Sequence, residues 1–188
     1  MLGSGEMPYN GFIIIFLAFL PVPTTLFKFA VIALVWTLTA CSPKFDWREV
    51  RGSDAPFSVL LPAKPASFSR EMELDGVKVN LHMTAADADG LSFAVAYAKL
   101  DDAGKSAGVL AAMKAGMLKN IQANASKELN QSGTDIEASG NRQDGQPVKL
   151  VGRFVARGAW VYQIVVIGRD KALTPEVVDT FLTSFKTN

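Results

Sequence analysis

The sequence predicts an α+β fold: one antiparallel β-sheet of about six to seven strands, sandwiched with a long helix and a C-terminal helix. Three observations lead there. Short apolar runs with two-residue alternation follow one another from Phe57 onward, punctuated by Asp-Gly and Arg-Gly turns. A proline-free stretch, 106–130, carries apolar residues at helical spacing. Near the end, Thr174-Pro175 opens a second helical stripe. Strands joined by tight turns, with helices set apart from them, pack as an antiparallel sheet covered by helices.

Each element has its own reason. Phe57 to Leu61 is an apolar run stopped by Pro62 and Pro65. Phe68 to Leu74 and Val77 to Thr84 flank Asp75-Gly76, the strongest two-residue hairpin signal. In the second arm Val77, Val79, Leu81 and Met83 alternate with Lys78, Asn80, His82 and Thr84, which predicts a half-buried strand. After a turn at 87–90, Leu91 to Leu100 opposes Leu91, Phe93, Val95 and Tyr97 to Ser92, Ala94, Ala96 and Ala98. A face of alanines lets another element approach closely. The helix predicted over Ser106 to Asn130, with Leu110, Met113, Met117, Ile121 and Ala125 on one stripe, is placed against it. Three strands follow: Thr134 to Arg142, Val148 to Arg157 and Ala159 to Ile167. The last is apolar on both faces, so it is expected in the centre of the sheet. Thr174 as cap, Pro175 at the first helical position, and Val178, Phe181, Leu182 and Phe185 at i, i+3, i+4 and i+7 define the closing helix.

The amino-terminal part has a different composition. Residues 1–40 hold two charged side chains, Glu6 and Lys28, whereas the rest has the polarity of an ordinary globular chain. Phe29 to Leu38 is a short apolar stretch after Lys28, as in the charged start and hydrophobic middle of a secretory signal, and too short to span a bilayer comfortably. It runs into Leu38-Thr39-Ala40-Cys41, which resembles the lipobox of bacterial lipoprotein precursors. Small side chains at Thr39 and Ala40 suit an extended backbone entering a peptidase groove. Only a thiol at position 41 can form the thioether that carries diacylglycerol. The resemblance implies recognition of Leu38, Thr39 and Ala40 by the signal peptidase, cleavage before Cys41, and lipidation of Cys41. Cys41 is the sole cysteine, so an intrachain disulfide is excluded. Ser42 follows it, and by the sorting rule of two-membrane bacteria this directs the protein to the outer membrane, facing the periplasm.

A second apolar run, Phe12 to Leu20, closed by Pro21-Val22-Pro23, precedes the signal. It is read as an artefact of a start placed too early, with translation beginning near Leu26 and residues 1–25 lying outside the natural product. The alternative is a helical hairpin in the membrane. The domain expectation is therefore a signal peptide at 1–40, a lipidated tether at 41–55 and a folded domain at 56–188. Within the tether, Phe45 and Trp47 are expected to pack on the domain rather than dip among lipid headgroups.

Charge argues against nucleic acid as a partner: the chain carries +1 overall, with 19 Lys and Arg against 18 Asp and Glu mixed along its length. Catalytic motifs do not assemble either. Asp101-Asp102-Ala103-Gly104-Lys105-Ser106 ends like a phosphate-binding loop but has Lys99 where the first glycine belongs, so the acids are read as helix caps. Asp87-Ala88-Asp89-Gly90 is read as a hairpin turn, having neither the glycine position nor the terminal glutamate of a calcium loop. His82 is the single histidine, which leaves no triad and no multi-histidine metal site, and it is expected to be solvated. The five arginines from Arg70 to Arg169 could bind an anion, although scattered charges usually solvate a surface. No cofactor is expected.

Phe57-Ser58-Val59-Leu60-Leu61-Pro62, the segment Trp160-Val161-Tyr162, and Phe181-Leu182-Thr183-Ser184-Phe185-Lys186 together resemble the PsbP-like superfamily over about residues 55–186. The resemblance implies an antiparallel sheet between helices, brings no catalytic residue, and suggests protein binding or assembly. The leading functional expectation is thus a lipid-anchored, non-enzymatic interaction module for an envelope protein. A carrier of a small apolar or anionic ligand is the alternative, and an envelope hydrolase would need an unforeseen cluster of acids.

Overall fold

The computed structural model describes residues 44–187. Leu38, Thr39, Ala40, Cys41 and Ser42 lie outside them, as does the whole signal segment. The described chain forms β1 (Arg48–Arg51), β2 (Phe57–Leu61), β3 (Ala66–Leu74), β4 (Val77–Ala88), β5 (Leu91–Lys99), α1 (Ser106–Asn120), β6 (Ala125–Glu128), β7 (Asp135–Asn141), β8 (Pro147–Arg157), β9 (Trp160–Gly168), α2 (Pro175–Ser184) and β10 (Lys186–Thr187). Seven strands make one antiparallel sheet in the order β3-β4-β5-β9-β8-β7-β6; β1, β2 and β10 make a separate small one. The fold is therefore α+β, with α1 on one face of the large sheet and α2 with the small sheet on the other.

β9 sits in the centre, as its two apolar faces predict, and divides two cores. Tyr162, Ile164 and Val166 join Leu91, Phe93, Val95, Phe57 and Phe181 on one side. On the other, Val161 and Val165 join Ala96, Ala98, Val109, Met113 and Met117, so α1 does lie on the alanine face. An Ala96→Phe chain is accordingly expected to lose about 1–3 kcal/mol through overpacking under α1. Thermal melting would read this, and an unchanged midpoint would refute the packing.

The helix is shorter than predicted. It ends at Asn120 because Gln122 takes a left-handed conformation (φ 45°), the Gln122 N–H donates to the Lys119 carbonyl and the Ala123 N–H to the Leu118 carbonyl. That is a Schellman stop with glutamine in the usual glycine position. Residues expected in its last turns instead form β6, where Ala125 is exposed, and Leu110 is only partly buried; its neighbour Val109 is fully buried and starts the stripe that continues through Met113 and Met117. Close approaches fix both ends. A side chain at Gly108 would strike the Asp75 carboxylate in the β3–β4 turn, and one at Gly140 would strike the Ile121 carbonyl.

The folded domain begins earlier than the expected boundary at residue 56. Residues 45–51, assigned there to a linker, are built onto the domain: β1 pairs with β2, and Phe45 and Trp47 pack edge-on against Phe93 at 6.2 and 5.7 Å, as expected of the two aromatics. The C-terminal helix matches its prediction, since Thr174 Oγ1 accepts from the Val177 N–H, Pro175 is at the start, and Phe181 and Leu182 are buried. It is fastened to the sheet by Arg153, whose guanidinium grips Asp135 with two hydrogen bonds (2.9 and 2.8 Å) and donates a third to the Leu182 carbonyl at 2.9 Å. The Asp135 hydrogen bonds hold the Arg153 guanidinium above its ordinary range.

Candidate functional site

Antiparallel pairing carries the β4–β5 turn, the β7–β8 turn and the segment after β9 to the same end of the sheet, because Leu91 lies opposite Gly168, Gly168 opposite Lys149, and Pro147 opposite Asn141. Three cations far apart in sequence meet there. Arg142, Arg169 and Lys171 line an open cleft of about 560 Å³ together with Asp89, Gln146, Pro147 and Val148. A second cleft of about 680 Å³ shares Arg169 and Lys171 and adds Lys149, Asp170 and Asn141.

The two acids that line these clefts are already engaged. Asp89 pairs with Lys44 at 3.3 Å, and Asp170 pairs with Lys149 at 3.2 Å. Lys149 also meets Glu137 at 3.3 Å, while Lys127 meets the same carboxylate at 2.9 Å. The hydrogen bond from Lys127, then that from Lys149, holds the Glu137 carboxyl below its usual range, while Asp170 foremost raises Lys149. By contrast, among the described residues no carboxylate lies within 4.0 Å of Arg142, Arg169 or Lys171. All three are exposed. Two guanidinium forks and an ammonium around one cleft suit an oxyanion such as phosphate or carboxylate.

The motifs singled out in the sequence fall elsewhere. Asp102 accepts from the Gly104 N–H at 2.8 Å and caps a short 3-10 turn before α1, the structural role expected of it. Asp89 and Gly90 both have positive φ (49° and 76°) and make the tight turn between β4 and β5. His82 differs from expectation: it is half-buried, with its ring stacked on Tyr97 at 5.3 Å and 11°. It faces the same side as Trp160, which tilts on Tyr97 and lies under Lys99. Among the described residues no group of three or more His, Cys, Asp or Glu is placed to hold a metal ion. Tyr162 is fully buried, and its hydroxyl has no hydrogen-bond partner among them; burial, with the nearby Tyr97, pushes the phenol up. No described helix is long and apolar enough to cross a membrane.

A different surface lies at the sheet border. β3 is an edge strand, exposed at its first six positions, and Phe68 keeps 55% of its surface in water. Its first four residues, Ala66-Ser67-Phe68-Ser69, are uncharged, whereas Arg70, Glu71 and Glu73 follow. The Asp75-Gly76 hairpin signal places Phe68 in a strand without revealing that the strand lies at the border of the sheet.

Comparison with known proteins adds little to this geometry. No protein-family profile matches the chain, and no curated protein matches it. Among solved structures it is similar to the solution structure of cyanobacterial PsbP (CyanoP) from Synechocystis sp. PCC 6803, at 10% identity and a TM-score of 0.42, over 79% of this chain and 96% of that one.

Proposed function

We propose that this chain is a lipid-anchored cell-envelope protein, held through Cys41 and facing the periplasm from the outer membrane, whose domain is a non-enzymatic interaction or assembly module for another envelope protein. The anchor rests on Leu38-Thr39-Ala40-Cys41 at the end of an export signal, and the membrane on Ser42. The observation that supports interaction is the open border of β3 with Phe68 exposed on it. An edge strand presents unpaired N–H and C=O groups to any extended segment, and pockets for alternate side chains add selectivity. The uncharged half, 66–69, is where a partner strand pairs; the charges after it discourage indiscriminate stacking of copies.

A photo-reactive residue at position 68, in the full chain in its own host, is expected to capture one envelope protein that the same group at exposed position 101 does not. Phe68→Lys, tested with a photo-reactive residue at Ser67, should cut that yield at least tenfold while leaving the melting midpoint within about 2 °C, since an exposed side chain contributes little to stability. Equal capture from both positions, or only abundant porins, would remove the support for this reading.

A further inference from the structure

We propose that the cleft formed by Arg142, Arg169 and Lys171 binds the phosphate of an anionic phospholipid headgroup in the membrane to which the chain is anchored; this rests on the lipidation of Cys41. Two observations meet in it. The first is chemical: three cations without an acid partner among the described residues converge on one cleft, while Asp89 and Asp170 beside them are occupied by Lys44 and Lys149. A phosphate diester offers the oxygen pair that guanidinium forks match, and Pro147 and Val148 give the cleft an apolar wall against which the glycerol portion can rest.

The second is positional. Lys44, the first described residue, pairs with Asp89 of the cleft, and Phe45 packs on Phe93, two residues beyond the start of β5. The chain therefore enters the domain at the end of the sheet that bears the cleft. Cys41 is three residues earlier, and three residues reach at most about 11 Å. A lipid on Cys41 is thus joined by a short length of chain to Lys44 at this end, which raises the effective concentration of headgroups at the cleft. Asp87 and Asp144 at the same end keep the surface as a whole near neutral, so the attraction belongs to the cleft and not to a general basic field.

The test uses the full lipidated chain in neutral detergent micelles, titrated with dihexanoyl-phosphatidylglycerol, dihexanoyl-phosphatidylcholine and inorganic phosphate at matched ionic strength, with bound ligand counted by native mass spectrometry. Phosphatidylglycerol is expected to bind at least tenfold more tightly than phosphatidylcholine. Arg142→Gln with Arg169→Gln should weaken it roughly 25-fold, at about fivefold for each charge near an anionic lipid. Folding of the double variant is checked by its melting midpoint, and the single variants, each expected to lose about fivefold, stand in if it fails to fold. Unchanged binding in the variants overturns the proposal. So does inorganic phosphate binding as tightly as phosphatidylglycerol, which would make the cleft a site for the free ion. The same spectra weigh the chain itself: an unacylated Cys41 sinks the anchor, while the titration still reports on the cleft.

Discussion

A Cys41→Ser chain expressed in its own host is expected to take up no labelled palmitate, and the mature form beginning at residue 41 should no longer accumulate. The effect is all-or-none because the chemistry is. A thiol can be deprotonated near neutral pH and attacks as thiolate, whereas a serine hydroxyl without an activating base does not. Once the thioether is absent, the acyl chains that give about 0.8 kcal/mol per buried methylene are absent too. Palmitate labelling with fractionation of membranes reads the outcome. Labelling of the variant at the level of the natural chain would end the anchor proposal and with it the assigned location.

Phe181→Ala carries the largest expected cost to folding. Phe181 is fully buried and meets Phe93 edge to face, with ring centroids 5.2 Å apart at 85°. Phe93 is the same ring on which Phe45 and Trp47 close, so the vacated volume lies where α2, the large sheet and the entering chain converge. Phenylalanine-to-alanine changes at such sites cost about 3–5 kcal/mol, the transfer term and the residual cavity together. For a domain of this size that lowers the melting midpoint by about 10–20 °C. Val178, on the same helix but only partly buried, supplies the control: its truncation to alanine should shift the midpoint far less. A drop of under about 2 °C for Phe181→Ala would show that α2 is not packed as described.

What could be read from sequence was whatever a side chain announces locally. Asp75-Gly76 makes the turn it advertises, with φ of 51° and 72°. Thr174-Pro175 starts a helix, and the doubly apolar 159–167 run becomes the central strand. Other elements are silent. β6 is Ala-Ser-Lys-Glu, exposed at all four positions and held by backbone pairing to β7, so it has no apolar pattern to detect. β1, Arg-Glu-Val-Arg, is close to this: only Val50 is partly buried, too little for an alternating pattern, and the strand is held by pairing to β2. The end of α1 was missed because Gln122, not glycine, takes the left-handed turn. The basic cleft was invisible for a different reason. Arg142, Arg169 and Lys171 come from separate segments, and only the register of β7, β8 and β9 brings them together. Arg153, equally scattered in the sequence, proves to be a structural clasp on Asp135 and Leu182.

The central strand has a bearing on how such a chain could be handled by a partner. β9 lends Tyr162, Ile164 and Val166 to one layer and Val161 and Val165 to the other, so peeling away either layer wets the strand they share. β3, the border on which a partner could lie, is separated from it by β4 and β5. Strand exchange or tugging at that rim is thus borne by two intervening strands, and the domain can be gripped from the side while its middle stays dry.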